Sequence, residues 1–585
     1  VSDQIRSSKP LAKLPAPPAQ PRTGPAEPET RSLTADEAAA QLQAEWLFQA
    51  ERKPLVARAL QEIIWAREIA DRLAKVAKPP KLIDCLKQLD TLEKKLKSLG
   101  DKPDAKVSEE LYFAVRQIKR KIMFADPLVD FSRMLFVDVP ERYPHESMHR
   151  VYPQAQLNCV RLLVLDGLSP AGKLRKLTDK LPTGWYWRPD ISFDGKRALF
   201  CFRPKTDRTF HLYETPLDSP DAKPRQLTSG SYDDLDPIYM PSGHIVFVSN
   251  RGASHARCTV GHPSTVVARC DADGKNIYLI SGGNEPEYTP SLMPNGQILY
   301  TRWEYTDKEL MRIQSLWTVN PDGTGTNAFW GNQSYWPDML VEARVIPGSG
   351  RAIFSGQGHH NVYWGSLGVV DPKKGRNYPD GLTKVTQDVK WCEVGDGPAE
   401  RPETTKYHTA GAYRGYKSPY PLSSELFLTS ARASGRSSKF KLFLMDIYGN
   451  RELIYESAFH ALYGLPIRAR KAPPVIPDRV EWAGAQKDRR KIKPGVFFCA
   501  DVYQGAPKIL KDKAKYLRVI QLDWNTATLG KKLQDVDHPR AQPHLHVGPV
   551  VSLAVNDGVK HVLGTVPVAK DGSVYFEAPP CRSLH

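Results

Sequence analysis

Three short stretches gather side chains that could do chemistry. His255-Ala-Arg-Cys258-Thr-Val-Gly-His262, with Cys270 eight residues on from His262, brings two thiols and two imidazoles into one segment. Zinc accepts two thiolates and two imidazoles in a tetrahedron. A Cys258–Cys270 disulfide in an oxidising compartment would use the same cysteines, and two unpaired cysteines are the third reading. Gly356-Gln-Gly-His359-His360-Asn361 offers adjacent imidazoles to a metal or a haem, and its glycines would let a ligand approach the backbone. Adjacent side chains on a strand point to opposite faces, so only a loop would bring His359 and His360 together. Arg302, Glu304 and Asp307, in Arg-Trp-Glu-Tyr-Thr-Asp, supply a cation and two carboxylates for acid–base work. A salt-bridged structural corner explains the same residues.

Two weaker signals accompany these. His544 and His546 stand at the spacing that puts both rings on one strand face, with His538 nearby; an exposed polar face is the ordinary reading. Asp233-Asp-Leu-Asp236 resembles a calcium loop but lacks the twelve-residue spacing closed by a glutamate. Zinc and calcium are thus the metals the residues suggest. Nothing matches a P-loop, Gly-x-Ser-x-Gly or His-Glu-x-x-His.

The elements that must position these residues announce themselves by repetition. Arg188-Pro-Asp-Ile-Ser-Phe-Asp-Gly195, Asp236-Pro-Ile-Tyr-Met-Pro-Ser-Gly243 and Thr289-Pro-Ser-Leu-Met-Pro-Asn-Gly296 each place a glycine six residues after a proline. An apolar run follows at once in Ala198–Phe202, Ile245–Val248 and Ile298–Tyr300. The phrase reads as a strand, a tight turn whose glycine takes positive φ, and a second strand. Successive prolines are 48 and 53 residues apart, the length of one four-stranded propeller blade. A second turn signal falls out of phase in Asp271-Ala-Asp-Gly274, Asn320-Pro-Asp-Gly323, Asp371-Pro-Lys-Lys-Gly375 and Asp446-Ile-Tyr-Gly449. Two hairpins per repeat make four strands. Counting Arg133–Asp138 with Val160–Leu165, a repeat opened by Tyr335-Trp-Pro337, and another at Glu425–Thr429 with Lys441–Met445, the expectation is a mainly β fold built on a six- or seven-bladed β-propeller over 128–465.

The propeller is flanked on both sides. Residues 1–33 are proline-rich and read as a tether. Residues 34–127 read as an α-helical domain: Thr34-Ala-Asp-Glu37 is a capping box, Pro54 interrupts the first helix, a second runs from about Leu82 to Gly100, and Ser108 caps a third. Residues 466–494, basic and proline-rich, read as a linker or insertion, and 495–585 as a small C-terminal β-domain that looks cut short.

Bulk properties narrow the class. Hydrophobic residues make up 41% and charged residues 25%, the balance of an ordinary globular protein, and no window of 18 apolar residues could span a membrane. The net charge of +17 raises nucleic acid as a partner, but the cations are spread along the chain and no nucleic-acid module is present. An acidic protein partner or an anionic surface suits that charge better. None of the eight cysteines forms Cys-x-x-Cys-His, so no c-type haem attachment is encoded.

Several strings exceed generic propeller grammar: Arg188–Lys196, Gly296–Asp307, Asn320-Pro-Asp-Gly-Thr-Gly325, Ser334-Tyr-Trp-Pro337 and Gly564–Phe576. Together they resemble the large extracytoplasmic planctomycete proteins that carry the middle domain of the hydrazine synthase alpha subunit, over roughly 128–585. The resemblance implies a periplasmic chain with its signal peptide removed or outside the sequence, and other subunits as partners. It also implies a neighbouring c-type haem region; Cys581 and His585 form Cys-x-x-x-His, one residue too long and short of a thiol, so that region is expected beyond residue 585, a haemless relative being the alternative. The function expected is a scaffold positioning a redox centre or partner subunit; a non-catalytic binding module for a protein or glycan is the rival. If the chain is an enzyme, the resemblance points to an oxidoreductase.

Overall fold

The computed structural model describes residues 27–584 except 101–102, 141–159, 208, 220, 253–263, 284, 305–313, 335, 359–362, 393–400, 436–437, 481–492, 505–507, 523–559 and 580–582. Four helices come first: α1 Ala35–Gln49, α2 Leu55–Leu73, α3 Ile83–Lys97 and α4 Ala105–Phe124. The capping box at Thr34 and Glu37 is formed in both directions. The cap of α4 is Asp104, which accepts the Val107 N–H at 3.0 Å, and not Ser108, whose hydroxyl donates back to Asp104 O from inside the first turn. An aspartate at the N-cap satisfies a free N–H and meets the positive end of the helix dipole, so it outcompetes a serine four residues on.

From Arg133 the chain is strand: β1 Arg133–Val139, β2 Arg161–Asp166, β3 Lys173–Lys176, β4 Gly184–Ile191, β5 Arg197–Pro204, β6 His211–Pro216, β7 Arg225–Gln226, β8 Asp234–Tyr239, β9 Ile245–Ser249, β10 Val266–Cys270, β11 Tyr278–Leu279, β12 Glu287–Leu292, β13 Ile298–Trp303, β14 Gln314–Val319, β15 Asn327–Trp330, β16 Met339–Val345, β17 Ala352–Gln357, β18 Ser366–Val370, β19 Leu382–Lys384, β20 Tyr413–Pro421, β21 Leu426–Ala433, β22 Phe440–Asp446, β23 Arg451–Tyr455 and β24 His460–Pro466. They form antiparallel meanders β4–β7, β8–β11, β12–β15, β16–β19 and β20–β23, the third and fourth joined by a single parallel pairing of Gln314 with Met339. The remaining sheet is ordered β24-β1-β2-β3, so a late strand completes the sheet that the earliest strands begin. Contact passes from β4 to β8, β12, β16, β20, β24 and back to β4. The sheets therefore close a ring.

Both faces of each sheet are covered by its neighbours. β5 is buried from Ala198 to Phe202, and β9 throughout. This explains the continuous apolar runs: a strand packed on both faces has no polar side to alternate with. Both expected turn signals are formed, with Gly195, Gly243 and Gly296 at φ 72°, 86° and 89° and Gly274, Gly323 and Gly449 at 84°, 83° and 96°.

Residues 467–480, expected as a linker, are docked. Arg470 N donates to Phe193 O, Arg269 pairs with Asp478, and Arg479 N donates to Asp322 Oδ2 at 2.8 Å. A Cβ on Gly296 would collide with Pro474 O. Beyond it, β25 Gly495–Cys499, β26 Tyr516–Leu522, β27 Lys560–Pro567, β28 Val574–Ala578 and β29 Ser583–Leu584 form two small sheets.

The helices are fastened to the ring by buried charge. On β23, Glu452 is fully buried, accepting from Arg116 Nη2 at 2.9 Å and Trp46 Nε1 at 3.1 Å. Glu62 of α2 accepts from Lys119 at 2.6 Å and Arg58 at 2.9 Å. Burial works against its charge, but Arg116, Lys119 and Arg58 outweigh it and hold the carboxyl far below the usual range. The Trp65 ring stacks on His408 at 3.7 Å, and His408 Nε2 lies 3.1 Å from Asn450 Oδ1.

Two outcomes follow from this seam. Glu452→Gln removes one of the two carboxylates facing Arg116, the other being Glu62 at 3.5 Å, and also the one facing Arg120 at 3.8 Å, so unfolding in urea should show a loss of about 3–5 kcal/mol; a loss below about 1 kcal/mol, typical of an exposed pair, would contradict the seam. Burial, with Lys119 nearby, lowers the His408 pKa to about 2. Below pH 6.5 the unfolded chain then binds a proton that the folded chain refuses, so stability falls on acidification by up to about 1.4 kcal/mol per pH unit. His408→Gln should flatten that slope between pH 6.5 and 5, and an unchanged slope would show that His408 is not its source.

Candidate functional site

The inner edge of the ring is irregular in the same way in every sheet. Arg188, Asp236, Thr289, Glu342, Ser418 and Tyr463, one in each innermost strand, take φ of 35°, 53°, 49°, 56°, 52° and 57°. At each of them the pairing with the next strand slips. These are β-bulges held by non-glycine residues in the left-handed region, which costs of the order of 1 kcal/mol or more apiece. In four strands a proline follows directly, at 189, 237, 290 and 419; it fixes its own φ and leaves no N–H to satisfy.

The strain is met by contacts between neighbouring strands. Asp236 accepts the Thr289 N–H at 2.9 Å, Thr289 Oγ1 accepts the Glu342 N–H at 3.3 Å, and Glu342 accepts the Ser418 N–H at 2.5 Å and its hydroxyl at 3.0 Å. Arg188 Nη1 stands 3.5 Å from Asp236 Oδ2, and Trp187 meets Tyr463 edge-on at 5.4 Å. All six bulge residues are buried. Burial raises the Asp236 pKa, with Arg188 and the Thr289 N–H opposing it.

Just beyond the bulges lies a small open cleft, lined by Asp190, Ile191, Arg344, Tyr420, Leu465 and Pro466 from the innermost strands and by Arg468 and Arg470 from the docked segment. Asp190, Arg344, Tyr420 and Leu465 each stand two residues after a bulge. This mouth, rich in arginine, is the candidate binding site the described residues build.

The three stretches singled out in the sequence attach to one face of the ring. The 253–263 segment lies between β9 and β10, 305–313 between β13 and β14, and 359–362 between β17 and β18. The strand ends flanking them meet the starts of the innermost strands: Trp303 N donates to Pro286 O, Gln314 N to Asp338 O, and Gly365 pairs with Tyr416. His255, Cys258, His262, Asp307, His359 and His360 lie outside the described residues, as do His538, His544 and His546. Cys270 is buried at the far end of β10, about 13 Å along the strand from Val266, where the 253–263 segment rejoins the sheet. Burial pushes its thiol up to about 12. Arg302 sits between Glu287 and Glu304, each at 3.8 Å, with its guanidinium 4.8 Å from the Trp317 ring centre. Among the described residues no three His, Cys, Asp or Glu side chains converge as metal ligands. At Gly356 the close approach comes from Trp391, whose ring a Cβ would strike. Asp233 and Asp236 serve the scaffold, Asp233 by accepting the Phe210 N–H at 2.9 Å.

The bulges were hidden in plain view, because Arg188, Asp236 and Thr289 are the residues preceding the proline of the repeated phrase. A polar residue before each proline was the available signal.

No family model and no curated protein sequence matches the chain. Among solved structures, hydrazine synthase from Kuenenia stuttgartiensis is similar with a TM-score of 0.58 and 16% identity, over 78% of this chain and 65% of that one. The fold is propeller-like. This chain thus spans just under two thirds of the length of the hydrazine synthase chain, and at this identity the likeness concerns fold alone. A protein described as TolB from Agrobacterium tumefaciens, with 12% identity over 57% of this chain and 90% of that one, matches at a TM-score of 0.33. An oligogalacturonate lyase from Vibrio parahaemolyticus, with 9% identity over 56% and 80%, matches at 0.31. Both scores are too low to bear on function.

The seam at the axis makes a direct prediction. Asp236→Ala removes both the acceptor for a buried N–H and the counter-charge of Arg188, and should cost about 3–5 kcal/mol; Thr289→Val, which removes one neutral acceptor, should cost about 1–3 kcal/mol. If both stay within about 0.5 kcal/mol of wild type in urea unfolding, as a surface change such as Lys275→Ala would, the strands are not joined this way.

Proposed function

We propose that the chain is a six-bladed β-propeller scaffold that positions a redox centre or a partner subunit in an extracytoplasmic assembly resembling hydrazine synthase. The observation that carries this reading is the extent of the likeness. It covers 78% of the chain, more than the strands from Arg133 to Pro466 occupy. Six four-stranded sheets, counting β24 with β1–β3 and dividing the joined sheet at its parallel pairing, support that blade number. A ring closed by its last strand, with a helical domain locked on through Glu452 and Glu62, is rigid enough to fix distances between bound groups.

A covalently attached c-type haem does not fit the residues of this chain, which contains no Cys-x-x-Cys-His. The chain would therefore hold a haem borne by another segment or subunit through contact alone. No described helix is long and apolar enough to cross a membrane.

The second reading, a binding module for a protein or glycan, is favoured by the arginine-lined mouth at one end of the ring. The two readings separate on the protein purified from its native source under mild conditions. The scaffold reading expects a Soret band or stoichiometric subunits that co-purify with this chain. A colourless protein that purifies alone and is retained on a glycan array would overturn it.

A further inference from the structure

The groups at the mouth of the axial cleft are unequally committed. Asp190 is held by Arg470 Nη2 at 3.2 and 3.3 Å and accepts the Tyr239 N–H at 3.0 Å. Arg470 also donates to Ile191 O at 2.8 Å, and its guanidinium lies 4.4 Å from the Phe193 ring centre. Arg468 pairs with Asp130 and donates to Leu128 O at 3.2 Å. Arg344 differs. Its guanidinium stands 5.1 Å from the Tyr420 ring centre, and among the described residues it makes no hydrogen bond or ion pair.

A half-buried guanidinium keeps its five donors in a fixed fork, and Arg344 has no nitrogen sealed from solvent without a partner, so the fork is open to a ligand entering the cleft. Burial lowers the Arg344 pKa, Asp190 opposes it, and the positive charges of Arg188 and Arg470 add to the lowering. The carboxylate of Asp190 is already neutralised by Arg470, so it does not complete Arg344. The partner an arginine fork matches best is a small negative group with two oxygens in one plane. Tyr420 supplies the flat wall that orients the fork.

We propose that this mouth binds a small oxyanion, a carboxylate or a phosphate, gripped by Arg344 against the Tyr420 ring.

Thermal unfolding of the whole chain tests this in sodium phosphate, sodium acetate and sodium chloride at equal ionic strength. The variants are Arg344→Gln, Arg344→Lys and, as a distant exposed control, Lys275→Gln. A ligand that binds only the folded chain raises Tm in a saturable way, by about 2 °C or more once its concentration well exceeds Kd. Phosphate, acetate or both should do so over chloride for the wild type and Lys275→Gln, and whichever acts names the ligand class. Arg344→Gln should abolish the shift, and Arg344→Lys, which keeps the charge but not the fork, should move its midpoint about tenfold to higher concentration. Should Arg344→Gln not fold, Arg344→Lys carries the test alone. No saturable shift in the wild type, or the same shift in the Arg344 variants, would overturn the proposal.

Discussion

Around the axis, each innermost strand breaks register at one residue in the left-handed region, and at three successive seams the N–H so displaced is taken up by a side chain of the neighbouring strand. Asp236 serves Thr289, Thr289 serves Glu342, and Glu342 serves Ser418. A hydrogen bond to a charged acceptor contributes about 1.5–3 kcal/mol, enough to offset a non-glycine residue at positive φ. At these three seams a strand cannot relax its bulge without releasing its neighbour's N–H. The ring thereby couples sheets that sequence separates by some fifty residues.

The outer structure hangs on that ring in two places. At one edge, Glu452 and Glu62 tie α1, α2 and α4 to β23 through Trp46 and a set of buried cations. Buried charge of this kind is poor stabilisation compared with an apolar contact, but it demands one arrangement of the helices, since any other leaves a guanidinium without a counter-charge. Across the end of the ring, the 467–480 segment crosses the glycine turns at 195 and 296, where a Cβ would collide with its backbone. The opposite face carries the strand ends that flank all three chemically suggestive stretches.

How much of this could be read from the residues follows the range of the interactions. Turns are local, and the glycines at 195, 243, 296, 274, 323 and 449 were legible from their own neighbours. The repeat length was legible because Pro189, Pro237 and Pro290 recur. The bulges were not, since Ala343 and Gly464 stand where other sheets have proline, and the left-handed residue before them has no composition of its own. The pairing of β24 with β1 joins residues more than three hundred positions apart and leaves no local mark. Residues 467–480 looked like a linker because prolines suit both a free linker and an extended segment laid against a surface; Arg470 and Asp478 decide between them only once Asp190 and Arg269 are in place. Arg302 stands 3.8 Å from both Glu287 and Glu304, while Asp307 lies outside the described residues.

Closure of the ring by β24 is the claim on which the architecture turns, and hydrogen–deuterium exchange of the intact protein tests it most directly. With β24 paired to β1 and in contact with β4 and β20, peptides covering His460–Pro466 should exchange as slowly as those covering β12 and β16, and only through global unfolding. Early exchange of that peptide, at the rate of an exposed terminal strand while β12 and β16 stay protected, would contradict a closed ring.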